Sequence, residues 1–547
     1  MKQRLILLAT LSIAVGFCLW YWWRDGHSVA LADAPSGKLD CVSYSPSGKE
    51  PLEQTGVGRA QLHRDLSLLA QRFKCVRIYS VSNGLDQVPV VARELGLRVL
   101  LGMWIGRENL HNQREIKLGL AIAERDRDVI DGIIVGNEVL LRKELDPEQL
   151  GALLRQVNEA TTLPVTYADV WDFWLEAPQL AQDVDFVTIH LLPYWENHPT
   201  GIDAALAHTA NVYGVATGTF PGKRVFIGET GWPSRGRQRV DAAPGRVNQA
   251  RFVREFTAWA ESNGIQYNLI EAFDQPWKRA QEGTVGGYWG MYDTAGQPKF
   301  PLHGPMQEDP QWQRGAWAAA ASAALFGLLG LLLRRGAHWT SPLIMLLGGA
   351  AAGSVAALQW RYLVASNRTT TEWVVSGLVV VIGWALYVQL LHGLARGKPL
   401  PPLAGTAEAL GRLGQPGAAD SGRARLPGML RFLLLLSLAY TCLALTFDSR
   451  YRDFPSNLYA LPVLTLCLTA LLHRSRAAPR YREIAEESLL AGCAAVCAVA
   501  IAVLEGPQNL SALGFCVLCL AAAWSVFHPS SHLARQDQQG QHHTDHG

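Results

Sequence analysis

The chain has 547 residues, of which 49% are hydrophobic and 18% charged, with a formal net charge of +2. Charged residues fall below the roughly 25% of an average soluble chain, and the shortfall lies beyond about residue 314, where apolar runs of bilayer length alternate with short arginine-bearing loops. Balanced charge without a Lys/Arg stripe interleaved with aromatics gives no support to a nucleic-acid partner. The apolar content excludes disorder for most of the chain.

In chain order, Lys2 and Arg4 precede an apolar stretch from Leu5 to Trp23, long enough to span a bilayer and longer than the usual core of a cleaved signal peptide. It reads as an uncleaved anchor. The triplet Ala30-Leu31-Ala32 resembles a cleavage site, but Arg24 and Asp25 separate it from the apolar core. The expected organisation is an anchor and linker over 1–35, a soluble domain over 36–305, a polytopic helical membrane domain over 306–530 and a His-rich polar tail over 531–547.

From residue 39 onward, short apolar strand patterns alternate with amphipathic helical ones. LDCVSYSP, KCVRIYS, LRVLLGMWI, GIIVGNEVL, LPVTYADVW, DFVTIHLLPYW, RVFIGETGWPS and YNLIEAFDQPW make eight strands. Helical patterns such as RAQLHRDLSLLAQRF and NQARFVREFTAWAESNG lie between them. This order and size predict a (β/α)8 TIM barrel, an α/β fold, rather than an open doubly wound sheet. The first strand is not followed by a GxGxxG turn, which disfavours dinucleotide binding.

Barrel enzymes place their chemistry at the C-terminal ends of the strands. There the second strand carries Arg77 and Tyr79, the fourth Asn137 and Glu138, the fifth Tyr167 and Asp169, and the sixth His190 and Tyr194. The seventh carries Glu229 before Gly231 and Trp232, and the eighth Glu271, Phe273, Asp274, Trp277 and Lys278. Glu138 and Glu229 thus emerge at one mouth from opposite sides of the barrel. Paired carboxylates flanking a cleft suit glycoside cleavage, one held protonated for the leaving oxygen and one ionised to attack the anomeric carbon. Trp104, Trp171, Trp195, Trp232, Trp277 and Trp289 are expected to offer flat faces to sugar rings.

The stretch KRVFIGETGWPSRG, Lys223 to Gly236, resembles the signature of glycoside hydrolase family 17. GNEVL at 136–140 is similar to the Asn-Glu pair that ends the fourth strand in the wider clan of retaining barrel glycosidases, and VRIYS, FDQPWK and GYWGMYDTAGQPKFPL resemble further family segments. The resemblance covers about 39–302. It implies that Glu229 is the nucleophile and Glu138 the acid/base, with Asn137 and Tyr79 shaping the sugar subsite and Arg77, Tyr167, Trp232, Asp274 and Lys278 as further substrate-binding candidates. It also implies a β-1,3-glucan substrate and no metal or cofactor. Where plant members have a Glu after Phe-Asp on the eighth strand, this chain has Gln275. A retaining mechanism leads one to expect a raised pKa for Glu138 in the resting enzyme.

Beyond the barrel the hydropathy predicts seven more spans: 315–333, 342–360, 373–392, 430–447, 457–473, 488–504 and 510–527. Arg334, Arg335, Arg396, Lys398, Arg412, Arg423, Arg425, Arg474, Arg476, Arg480 and Arg482 fall in alternate loops, which places the N-terminus in the cytoplasm and the barrel outside. Arg361, Arg368, Arg450 and Arg452 lie on the outer side against this bias. The stretch 393–429, rich in Gly, Pro and Ala, reads as a flexible cytoplasmic linker.

Of nine cysteines, only Cys41 and Cys75 lie in the barrel, so a disulfide-scaffolded fold is excluded. The pairs Cys493/Cys497 and Cys516/Cys519 read as packing residues of apolar helices. The whole architecture resembles bacterial membrane-bound family 17 proteins associated with β-(1,3)/(1,6)-glucan synthesis. That likeness implies a glucanosyltransferase facing the periplasm from the inner membrane, in contact with membrane lipid and partnered with a glucan synthase. The rival readings are an endo-1,3-β-glucan hydrolase and a non-catalytic glucan-binding module.

Overall fold

The computed structural model describes residues 2–48, 56–332, 339–396, 422–448, 450–473 and 485–527. The chain divides into two compact units, Ser28–Glu308 and the combination of Met1–His27 with Asp309–Gly547.

The first unit is a closed parallel barrel whose eight strands follow chain order around the ring. They are β1 (Leu39–Ser43), β2 (Phe73–Arg77), β3 (Arg98–Met103), β4 (Ile130–Asn137), β5 (Val165–Val170), β6 (Phe186–His190), β7 (Arg224–Thr230) and β8 (Tyr267–Leu269). The ring closes where Cys41 and Val42 of β1 meet Asn268 and Leu269 of β8. All five residues of β6 are buried, as expected of a strand covered on both faces. Each βα return lays an apolar stripe on the sheet. The helix Pro147–Ala160 starts with a reciprocal cap between Asp146 and Gln149 and buries Leu150, Gly151, Leu154 and Val157.

Cys75, Leu100, Ile134, Ala168, Phe186 and Phe226, one from each of six successive strands, form a core cluster separate from the one beneath the helices. Side chains alternate along a strand, so Arg77 on β2 and His190 on β6 stand on the same faces as Cys75 and Phe186, nearer the C-terminal mouth. This layer also contains a bond not foreseen in the sequence. Cys41 and Cys75 are register partners on β1 and β2, 4.5 Å apart at Cα, and form a disulfide. At the unit's ends, Val29 and Met306 exchange backbone hydrogen bonds of 2.8 and 3.0 Å, and Ala34 N–H donates to Leu302 O at 3.0 Å.

The second unit is helical. Among the described residues, seven helices are long and apolar enough to cross a membrane: Leu7–Gly26, Gln313–Leu332, Ser341–Ser366, Thr370–Leu394, Gly428–Phe447, Glu486–Glu505 and Leu510–Phe527. The expected span at 457–473 forms a shorter apolar helix, Ser456–Leu471, with Pro462 inside it. Cys442, Cys497, Cys516 and Cys519 are buried in the core of this unit, in keeping with a packing role. Arg361 pairs with Asp25 at 3.1 Å and Asp309 at 3.3 Å, and Arg452 with Asp448 at 3.2 Å. The stretch 397–421 of the expected linker, the tail 531–547 and the side chains of the arginines in the expected cytoplasmic loops lie outside the described residues.

Candidate active site

The strand ends converge on Glu138 and Glu229. Gly136 and Glu138 both have left-handed backbone, φ 84° and 53°, so the chain turns sharply where β4 ends. Glycine adopts this region freely, whereas Glu138 does so at a cost of about 1 kcal/mol. The turn leaves Asn137 buried and Glu138 half-buried at the mouth.

Glu229, near the end of β7, is 4% exposed. Its Oε1 accepts from Tyr79 Oη at 2.9 Å and from Arg77 Nη1 at 3.2 Å. Arg77 is fully buried, donates also to Gly228 O at 2.8 Å and to Asn137 Oδ1 at 2.5 Å, and so ties β2, β4 and β7 together. A second ring holds this one. Tyr79 Oη lies 2.9 Å from Ser43 Oγ, and Asn268 Nδ2 donates to Ser43 Oγ at 2.8 Å and to Gly228 O at 2.7 Å. Burial, aided by the charge of Glu229, raises the Tyr79 hydroxyl well above its ordinary range, so it remains a donor.

His190 ends β6 between the two carboxylates, with Nδ1 3.0 Å from Glu138 Oε1 and Nε2 3.7 Å from Glu229 Oε1. One ligand atom from each of these three residues lies within 4.8 Å of the other two. Arg77 supplies the fixed positive charge among them.

The raised pKa expected of Glu138 is not found. Burial pushes its carboxyl up, but the hydrogen bond and charge of His190, with the charges of Arg142 and Arg77, outweigh burial and hold it below the ordinary range. Several expected sugar contacts are also turned inward. Tyr167 is fully buried and bonds to Asp169 and to Leu140 N–H. Trp232 is fully buried and donates to Ala243 O at 3.0 Å. Asp274 is buried against Lys299 at 2.7 Å. Trp289 is likewise packed in the core, whereas Trp104 is 43% exposed and carries the Arg142 guanidinium 4.3 Å above its ring.

Lys278 reaches Glu271, its Nζ 2.9 Å from Oε1, while Gln275 turns away to Ser45 O and the Trp277 indole. Glu271 is fully buried, and burial pushes its carboxyl up to about 7 against the opposing charge of Lys278. Another organising residue, Glu115, was not singled out in the sequence because it lies on a helix. Its carboxylate accepts from Ser80 Oγ, Val81 N–H, Ser82 Oγ and Trp104 N–H at 2.5 to 3.2 Å, fixing the loops that follow β2 and β3.

Residues 41–290 match the family described as the BtgE/BtgC glycoside hydrolase domain. Over 293 residues the chain is 29% identical to btgC of Aspergillus niger, assigned by name as a glucan endo-1,3-beta-glucosidase, covering 46% of this chain and 42% of that protein. A glucan 1,3-beta-glucosidase of Arthroderma benhamiae is 26% identical over 292 residues, covering 50% of this chain and 94% of that protein. Among solved structures, the glycoside hydrolase family 17 beta-1,3-glucanosyltransferase from Rhizomucor miehei is similar at 26% identity and a TM-score of 0.43, over 48% of this chain and 97% of that one. The chain spans under half the length of the Aspergillus relative, and the three relatives named are fungal. The likeness to the BtgE/BtgC glycoside hydrolase domain thus spans the barrel, residues 41–290.

Proposed function

We propose that the barrel cleaves β-1,3-glucan with retention, Glu229 attacking the anomeric carbon and Glu138 serving as acid and then base. The observation that carries this reading is the separation of the two carboxyl groups. Their facing oxygens lie within 4.8 Å, which suits direct attack, for which about 5 to 5.5 Å is needed, and is too close for the 6.5 to 9.5 Å of an inverting site with a water in between. The bonding at Glu229 supports the same division of labour. Arg77 and Tyr79 both donate to its Oε1, and Arg77 also donates to Asn137 Oδ1, the residue before Glu138.

The covalent glycosyl-enzyme is released either by a sugar hydroxyl or by water. We favour a sugar acceptor, making the protein a membrane-tethered β-1,3-glucanosyltransferase that remodels or branches glucan outside a bacterial inner membrane, with a glucan synthase as its source of donor chains. The seven long apolar helices support tethering, and a disulfide in the barrel suits an oxidising compartment. The names of the Aspergillus and Arthroderma relatives favour a second reading, hydrolysis of 1,3-β-glucan.

The test is incubation of the full-length chain in detergent with laminari-oligosaccharides, with products separated by size and linkage and Glu229→Gln as control. Products longer than the donor and absent from the control support transfer. Shorter products alone make it a tethered hydrolase, and no turnover of any β-glucan sinks both readings.

A further inference from the structure

Arg142 lies in the loop after β4, outside the strand ends, yet it is bonded to both halves of the turn that carries Glu138. Its backbone N–H donates to Glu138 O at 2.9 Å, and its Nη1 donates to Asn137 O. Nη2 donates to Ile105 O at 3.0 Å and pairs with Glu144 Oε2 at 2.6 Å, while the guanidinium lies 4.3 Å over the Trp104 ring. The loop that follows β3 and the turn that follows β4 are thereby fastened together at the mouth. The turn is one that a clamp must hold, since Glu138 and Lys143 both have left-handed backbone, φ 53° and 55°.

Any fork of donors would make such a clamp, but this one carries a charge that does not titrate. The Arg142 side chain is 24% exposed, and the Trp104 ring keeps water from one face of it, so the charge is only partly screened. We propose that Arg142 is a positioning residue of the reaction, clamping the Asn137–Glu138 turn and setting beside Glu138 a fixed positive charge that loosens the site's hold on the acid proton. The inference rests on the retaining reading, in which that proton goes to the leaving glycosidic oxygen. A proton held less tightly is given up more readily to that oxygen and is lost to solvent at lower pH, so the charge makes a stronger acid and confines it to more acidic conditions. The setting of Glu138 agrees. Burial pushes its carboxyl up, the hydrogen bond and charge of His190 oppose that push first, and the charge of Arg142 comes next, ahead of Arg77.

The other charged groups that face Glu138 come from every side of the mouth. They are Arg77 of β2, Asp169 of β5, His190 of β6, Glu229 of β7 and Glu282 beyond β8. Groups this close titrate together, so the basic limb of kcat/KM reports loss of the proton from the cluster, whichever member carries it. The Arg142 charge acts on that total wherever the proton sits.

The experiment measures kcat/KM for a laminari-oligosaccharide from about pH 3 to 9 in the full-length chain in detergent and in its Arg142→Gln, Arg142→Lys and Glu144→Gln variants. Because kcat/KM ends with formation of the glycosyl-enzyme, it reads the same step whether a sugar or water later takes the glucosyl group. In Arg142→Gln the basic limb should move to higher pH by about half a unit or more, since the cation is gone and Glu144 is left behind. Arg142→Lys keeps the charge without the planar fork, so the height of the profile should fall while its basic limb stays near that of the parent. Glu144→Gln removes the carboxylate that offsets Arg142 and should move the limb the other way, to lower pH. A limb that stays in place or falls in Arg142→Gln overturns the proposal and leaves Arg142 a clamp only, and so does a limb displaced as far in Arg142→Lys as in Arg142→Gln. If Arg142→Gln does not fold, Glu144→Gln decides, and a limb that does not fall there overturns the proposal. No turnover by the parent protein instead removes the proposed function on which this inference rests.

Discussion

Tyr79 and Arg77 donate to the same oxygen of Glu229, Oε1, at 2.9 and 3.2 Å, and among the described residues no hydrogen bond reaches Oε2. The carboxylate is thus held from one side, which leaves its second oxygen for the attack proposed above. Removing one donor should weaken this hold without disturbing the barrel. Tyr79→Phe is expected to lower kcat/KM on laminari-oligosaccharides about 10- to 100-fold, the equivalent of one hydrogen bond to a charged group, mostly in kcat. Steady-state kinetics alongside circular dichroism check this, and an unchanged kcat would remove Tyr79 from the site.

Lys278 and Glu271 form a buried pair in which the carboxyl is pushed up to about 7 by burial despite the lysine charge. Unfolding returns Glu271 to about 4.3, so between that pH and about 7 the folded barrel holds a proton that the unfolded chain has lost. Stability should therefore fall as pH rises through this window, by on the order of 3 kcal/mol from this residue. Glu271→Gln should flatten the decline. It should also lower stability overall, because Lys278 is left largely buried without its partner carboxylate. Thermal unfolding at pH 4.5 and 7.5 gives both values, and an unchanged difference between them would contradict the assignment.

Cys41 and Cys75 close a loop of 34 residues in the barrel. Chain-entropy arguments give such a loop about 3 to 4 kcal/mol, so reduction or the double change Cys41→Ser with Cys75→Ser should lower the barrel Tm by on the order of 10 °C. Calorimetry with and without reductant checks this. Equal Tm values would mean that the bond is absent from the protein as made.

The barrel was legible because its periodicity repeats eight times, and the site because barrel chemistry gathers at strand ends. That same rule placed Glu138, Glu229 and His190 at one mouth before any distance was known. Other features depend on neighbours that a one-dimensional reading does not supply. Register alone sets Cys41 beside Cys75, and spacing along either strand says nothing of the other. Trp232, Trp289 and Tyr167 stand at strand ends or in loops by sequence, yet their rings turn into the core. The direction of the Glu138 shift escaped for a related reason. Burial alone raises a carboxyl, and the opposing partner lies 52 positions away on another strand.

The N-terminal helix bears on whether the chain is cut after export. Asp25 is 1% exposed, pairs with Arg361 at 3.1 Å and accepts Asp309 N–H on its backbone oxygen at 2.8 Å, while Trp22 Nε1 donates to Ser354 Oγ at 2.7 Å. We propose that a helix bonded in this way is kept in the finished protein, because cutting at Ala32 would strip Arg361 and Ser354 of these partners. Mass spectrometry of the purified protein should therefore recover peptides from residues 5–26. Asp25→Asn, which leaves Arg361 only Asp309 as a charged partner, should lower the melting temperature of the helical unit in detergent by several degrees. A mature N-terminus at Asp33 would show that the helix is removed from the finished protein, and an Asp25→Asn protein as stable as the parent would show that the Asp25–Arg361 pair adds nothing to it.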